Sequence, residues 1–161
     1  MEMRTRPVTE ADLPRICSFP QSAEELFFLF PKARYPLTPE QLAGAITARA
    51  DSMVVEQGGQ AMAFANFYQW QMHGHCAIGN VMVAPESRGG GIGRYLIEAM
   101  VMLARTKYQA REVRVSCFNH NTAGMLFYAR LGFTPCGIEQ RSDGQGHPVA
   151  LLHLCLPLPS V

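Results

Sequence analysis

The stretch from Val83 to Gly93, VAPESRGGGIG, places four glycines in five positions one residue before YLIEAMVMLA, whose apolar spacing predicts a helix. Glycine costs a helix roughly 1 kcal/mol per position relative to alanine, so helix formation does not explain the cluster. A helix start carries unpaired N–H groups and the positive end of the macrodipole. Together these bind phosphate. Glycines let the backbone approach such a group closely and take positive φ. Arg88 and Arg94 flank the loop and add charge-assisted contacts. The backbone of Gly89, Gly90, Gly91, Ile92, Gly93 and Arg94 is therefore expected to cradle an anion, a pyrophosphate above all. The alternative is a plain glycine-rich turn. Two common phosphate loops do not fit. No Lys-Ser or Lys-Thr follows the glycines, and a G-x-G-x-x-G count ends on Arg94 or Leu96.

The rest of the chain supplies a setting for this loop. EMRTRPV, residues 2–8, predicts a first strand, and Thr9 a helix cap followed by acids. From Leu13 to about Arg49 the pattern is helical but interrupted by Pro20, Pro31, Pro36 and Pro39. SMVVEQ and QAMAFANFYQW flank Gly58-Gly59 as a hairpin. HCAIGNVMVA, EVRVSCF, FTPCGIE and VALLHLCL predict further strands, with TAGMLFYARLG as a helix between the second and third of these. Hairpins followed by βαβ crossings imply an α/β (α+β) chain: a mixed, mostly antiparallel central sheet of about seven strands with helices on both faces.

A length of 161 residues suits a single domain covering 1–161. With 14 Lys plus Arg against 13 Asp plus Glu, the chain lacks the basic excess of a nucleic-acid binder. MEMRTRPV has no apolar signal core, and no apolar run approaches the ~20 residues of a membrane span, so no membrane partner is expected. The five cysteines are scattered and lack zinc spacing. They read as free buried thiols in a soluble, cytoplasmic protein, with no metal.

Arg88-x-x-Gly91-x-Gly93 resembles the acetyl-CoA motif [QR]-x-x-G-x-[GA] of the GCN5-related N-acetyltransferases (GNAT). Asn121, Gly124, Tyr128, Gly132 and Phe133 form N-x-x-G-x-x-x-Y-x-x-x-G-F, similar to that family's second motif except that alanine usually stands at the position of Gly124. The element order agrees along the whole chain. The resemblance implies the GNAT fold, with acetyl-CoA as acyl donor. It also implies that the amides of Met82 and Val83 hold the pantetheine arm, that residues 89–94 hold the pyrophosphate, and that Asn121 contacts the arm or caps its own helix. The expected acceptor is a primary amine, of a small molecule ahead of a protein. A homodimer with the apolar C-terminal strand through Leu156 at its interface is a further analogy.

The resemblance makes Tyr128 the general acid for the departing thiolate; packing on the sheet is the alternative. A backbone N–H of Met82 or Val83 would polarise the thioester carbonyl. The base stays open. Many such relatives carry a strand glutamate where this chain reads His75-Cys76-Ala77-Ile78-Gly79-Asn80. His75 can act through a water, Glu24 or Glu25 can act from the acceptor side, or the amine can lose its proton to bulk water. Phe27, Phe28 and Phe30 read as an acceptor wall or as packing, and Trp70 as packing first. A CoA-binding regulator without turnover is the rival class, favoured by the missing strand carboxylate.

Overall fold

The computed structural model describes residues 2–160. Seven strands form one sheet: β1 (Met3–Pro7), β2 (Ala50–Gln57), β3 (Gln60–Trp70), β4 (His75–Val83), β5 (Glu112–Phe118), β6 (Thr134–Ser142) and β7 (Pro148–Pro157). Their spatial order is β1-β2-β3-β4-β5-β7-β6. Only β4 and β5 run parallel; every other neighbour is antiparallel. The parallel pair needs a crossover, and helix α4 described below supplies it.

Five helices cover the two faces. α1 (Leu13–Cys17), α2 (Ala23–Leu29) and α3 (Pro39–Ala48) lie between β1 and β2; α4 (Ile92–Tyr108) joins β4 to β5, and α5 (Thr122–Arg130) joins β5 to β6. The interruptions in the first region have local causes. Ser22 Oγ accepts from the Glu25 amide at 3.1 Å and starts α2, while Thr38 with Pro39 behind it starts α3. One apolar core joins Phe67, Ile78, Val113, Val115 and Leu154 of the sheet to Leu96, Ile97 and Met100 of α4 and Tyr128 of α5. A second, on the opposite face, packs Ile16, Leu26 and Leu42 of α1–α3 against Phe64 and Met82.

The cysteine expectation needs correction. Cys136 and Cys155 form a disulfide, leaving Cys17, Cys76 and Cys117 free. The two partners lie 19 residues apart in sequence. They meet because β6 pairs with β7 and a register shift between Pro135 and Gly137 frees Cys136 from regular pairing. The cysteines therefore carry no argument for a cytoplasmic location. Burial raises the thiols of Cys17 and Cys117 to about 11, so neither is poised as a nucleophile.

β1 is tied to the first helical turn by charge. Both terminal nitrogens of Arg6 donate to Asp12 at 2.8 Å, and Asp12 also accepts from the Thr9 amide and hydroxyl. The Arg6 hydrogen bonds lead in lowering the Asp12 carboxyl from 3.8 to about 2, against a desolvation penalty. A depressed folded pKa stabilises the fold above the unfolded value, and that stability is lost as pH falls through the folded one. Asp12→Asn should therefore cost about 2 kcal/mol at pH 7 in urea unfolding. Its deficit should shrink as the pH is taken from about 4 to 2; a deficit independent of pH would contradict the ion-pair origin.

Candidate active site

The site begins where the sheet divides. β4 and β5 pair from His75↔Glu112 through Ile78↔Val115 and then part. β4 continues beside β3 as far as Val83↔Ala63, and β5 beside β7 as far as Phe118↔Leu151. The cause is local. Asn80 takes φ +50, and the β3–β4 register shifts between Phe64 and Asn66. Asparagine tolerates this left-handed region better than most residues.

Asn80 is held by a buried amide chain. Arg49 Nη1 donates to Asn66 Oδ1 (3.2 Å), Asn66 Nδ2 to Asn80 Oδ1 (3.0 Å), and Asn80 Nδ2 to the Leu29 carbonyl (3.0 Å). Asn66 and Asn80 are both buried, so each lost partner leaves an unsatisfied polar group. The same chain fixes the end of α2 over the parted strands.

β4 leads through a short turn at Pro85–Ser87 into the glycine loop. Gly89 and Gly91 have φ +81 and +88, and a Cβ on either would meet nothing within 4 Å. Their requirement is conformational, and the space beside them is open. The amides of Gly91, Ile92, Gly93 and Arg94 donate to no acceptor among the described residues, as the first turn of α4 demands. Gly93 has a different reason: its Cβ would lie 3.2 Å from the Phe127 ring, so it lets α4 and α5 approach. Open backbone donors, positive-φ glycines and the α4 dipole fit a diphosphate.

The side chains divide into those near this crevice and those away from it. Arg88 turns from the loop mouth: it donates to Glu25 Oε2 (3.1 Å), to the Val83 carbonyl (3.2 Å) and to the Phe19 carbonyl (3.0 Å). Glu25 thus sits in an ion pair with Arg88, and its Oε1 also accepts from the Gln21 amide. Glu24 is exposed on the first turn of α2. His75 opens β4 at the end away from the loop, five residues and roughly 16 Å of strand before Asn80. Its Nε2 lies 2.8 Å from Gln69 Oε1, and burial lowers its pKa, helped by Arg114.

Tyr128 is buried beside the parted strands, edge-on to Phe127 and Phe133. Its hydroxyl has no hydrogen-bond partner among the described residues, yet it is not sealed in; the only enclosed unpaired side-chain oxygen among those residues is Ser52 Oγ. Burial first, then Cys117 and Tyr68, push its phenol far above the ordinary value. It therefore stays protonated at neutral pH. Asn121 caps α5, its Oδ1 accepting from the Gly124 amide at 3.0 Å. That curl explains the unusual glycine: a Cβ at Gly124 would fall 2.5 Å from Asn121 Nδ2 and 3.0 Å from Cys117 Sγ. Above the site, Phe27 stacks on Phe118 at 4.5 Å and Phe28 meets His120 edge-on. His120 had no sequence signal; only the fold brings it to this aromatic wall. Among the described residues no group of His, Cys, Asp or Glu is arranged to hold a metal, and no helix is long and apolar enough to cross a membrane.

Residues 16–133 match the Acetyltransferase (GNAT) family, and the chain belongs to it. A relative described as a putative [ribosomal protein bS18]-alanine N-acetyltransferase of Bacillus subtilis (strain 168) is 32% identical over 94 residues. That match covers 56% of this chain and only 58% of the relative. A ribosomal-protein-alanine N-acetyltransferase from Brucella melitensis superposes with a TM-score of 0.78 at 23% identity, covering 96% of this chain and 99% of that one. A putative acetyltransferase from Salmonella typhimurium, solved with its cofactor acetyl-CoA, gives 0.74 at 20% identity, covering 99% and 95%. Both share the fold described here.

Asn80→Ala removes two amide bonds and places alanine at positive φ. It should destabilise the protein by about 2–4 kcal/mol in urea unfolding. Asn80→Gly should recover roughly 1 kcal/mol of that, the backbone part alone. Equal losses for the two variants would remove backbone strain from the account.

Proposed function

We propose that this chain is an acetyl-CoA-dependent N-acetyltransferase acting on a primary amine. The observation that carries the reading is the continuity of the crevice: strands that part at Asn80 run straight into a loop of open backbone donors at the start of α4. In this reading the free edge of β4 at Met82 and Val83 takes the pantetheine arm. The amides of Gly89 and of Gly91 to Arg94 take the diphosphate, the Gly90 amide instead donating to the Ser87 carbonyl at 3.3 Å, and Asn121 shapes the wall beside the arm. Arg88 acts at one remove, pinning α2 to the end of β4 through Glu25 and the Val83 carbonyl.

Bound acetyl-CoA supplies an activated acyl carbon. The reaction turns an ammonium and a thioester into an amide, a thiol and one released proton. Tyr128, protonated and with an unpaired hydroxyl, is suited to give a proton to the departing sulfur. A small-molecule amine is the first acceptor class. The second is the α-amine of a polypeptide beginning with alanine, favoured by the ribosomal-protein-alanine acetyltransferase description of the 32%-identical relative.

Acetyl-CoA at 100 times its Kd should raise the melting temperature by on the order of 5–10 °C. Gly91→Val should abolish that rise by distorting the loop; an unchanged rise would remove the cradle. Thiol release should be assayed with free small amines and with an alanine-starting peptide, which separates the acceptor classes. Tyr128→Phe should lower kcat roughly 100-fold while keeping the melting shift. Full turnover in that variant would remove the acid role, and a melting shift without thiol release from any acceptor would favour the regulator.

A further inference from the structure

On the sheet face away from α4 and α5, four polar side chains from four strands stand in one row, the first three joined by hydrogen bonds and the fourth by an ion-pair contact. Tyr68 Oη of β3 lies 2.8 Å from Ser116 Oγ of β5. Ser116 Oγ lies 2.9 Å from His153 Nδ1 of β7, and His153 Nε2 lies 3.4 Å from Glu139 Oε1 of β6. The row must cross β4 to join Tyr68 with Ser116. It crosses at Gly79, where a Cβ would lie 2.8 Å from Tyr68 Cδ1 and 2.6 Å from Arg49 Nη1. The crossing adjoins Asn80, where the crevice opens.

The chemistry gives the row a direction. An ionised carboxylate only accepts, so Glu139 selects the tautomer with the proton on Nε2. His153 Nδ1 then accepts from the Ser116 hydroxyl, and Ser116 accepts from Tyr68. The lone pairs of Tyr68 Oη are left as the open end, on a half-buried side chain beneath the Arg49 guanidinium. Tyr68 is also close enough to Tyr128 to help hold that phenol protonated. The charged neighbours of the row are Arg49, Arg114 with its partner Glu112, and Arg141, which pairs with Glu139.

We propose that this row is the proton outlet of the reaction: the acceptor ammonium gives its proton to Tyr68 Oη as protons shift from Tyr68 to Ser116 and from Ser116 to His153 Nδ1. The inference rests on the acetyl-transfer reading above. The ammonium N–H bond breaks and a His153 Nδ1–H bond forms, giving an imidazolium held by Glu139. His153 is partly exposed: its Nε2 releases a proton to water, and the row resets as the imidazole changes tautomer through solvent and the two hydroxyls turn back. The freed amine forms the C–N bond as the C–S bond breaks. The amine nitrogen loses a second proton, which balances the one Tyr128 gives to sulfur. No carboxylate on β4 is needed. Tyr68 is the catalytic residue of the row; Ser116, His153 and Glu139 act through it.

The test compares Tyr68→Phe, Ser116→Ala and His153→Gln with the unaltered protein, using acetyl-CoA and the best acceptor from the amine and alanine-peptide panel. The unaltered kcat/KM should fall at acid pH. Each variant should be roughly 10- to 100-fold slower at pH 7. The variant rates should climb with pH and approach the unaltered rate as the amine reaches its own pKa, with the acetyl-CoA melting shift retained. Superimposed pH profiles would overturn the relay while leaving acetyl transfer intact. Loss of the melting shift in the unaltered protein would instead remove the acetyl-transfer reading and the relay with it. A second readout needs no turnover: nitrogen-15 spectra should show neutral His153 carrying its proton on Nε2, with the Nδ1 signal moved by Ser116→Ala. A proton on Nδ1, or an acetyl ester found on Ser116 by mass spectrometry, would overturn the direction of the row.

Discussion

The hydrogen bond between Asn66 and Asn80 holds apart what a regular sheet would close. A left-handed residue inside a strand is unstable unless its surroundings fix it, and here two buried amides and a helix carbonyl do so. Everything near the crevice follows from that fixed bend. β4 leaves β5, its outer edge is freed, and its end is aimed at the start of α4. The contact to Leu29 carries the same constraint into α2, so the helical cover and the strand opening are set by one chain of polar atoms.

Two kinds of glycine serve this arrangement. Gly89 and Gly91 allow a backbone shape that other residues resist. Gly79, Gly93 and Gly124 make room: for Tyr68 and Arg49, for Phe127, and for Asn121 with Cys117. The second kind brings separate elements into contact, which is why the polar groups of β3 and β5 can meet across an intervening strand. Arg88 and Glu25 complete the frame by joining α2 to the end of β4, over a sequence separation of 63 residues.

Much of this was legible in the sequence. Period-two alternation and glycine punctuation gave all seven strands, and proline spacing gave the broken first helical region. The glycine loop was legible because conformation and composition coincide there. Other features were hidden because they depend on pairing. Nothing in Asn80 alone announces a positive φ. Arg88 reads as an anion contact and Glu25 as a candidate base until the fold places them face to face. Cys136 and Cys155 read as separate thiols until a register shift joins them. Tyr68, Ser116, His153 and Glu139 are ordinary strand residues until four strands align them.

The seam between β4 and β5 is four residue pairs long, and all of α4 lies between its two sides in sequence. β1 apart, the strands on one side of it form a meander of near neighbours. The seam joins segments far apart along the chain, and such closures are slow because loop entropy opposes them. A ligand that needs both walls therefore finds no partly assembled version to grip. Occupancy of the cleft would be a late event in the life of each new chain, and a sign that the two halves of its sheet have met.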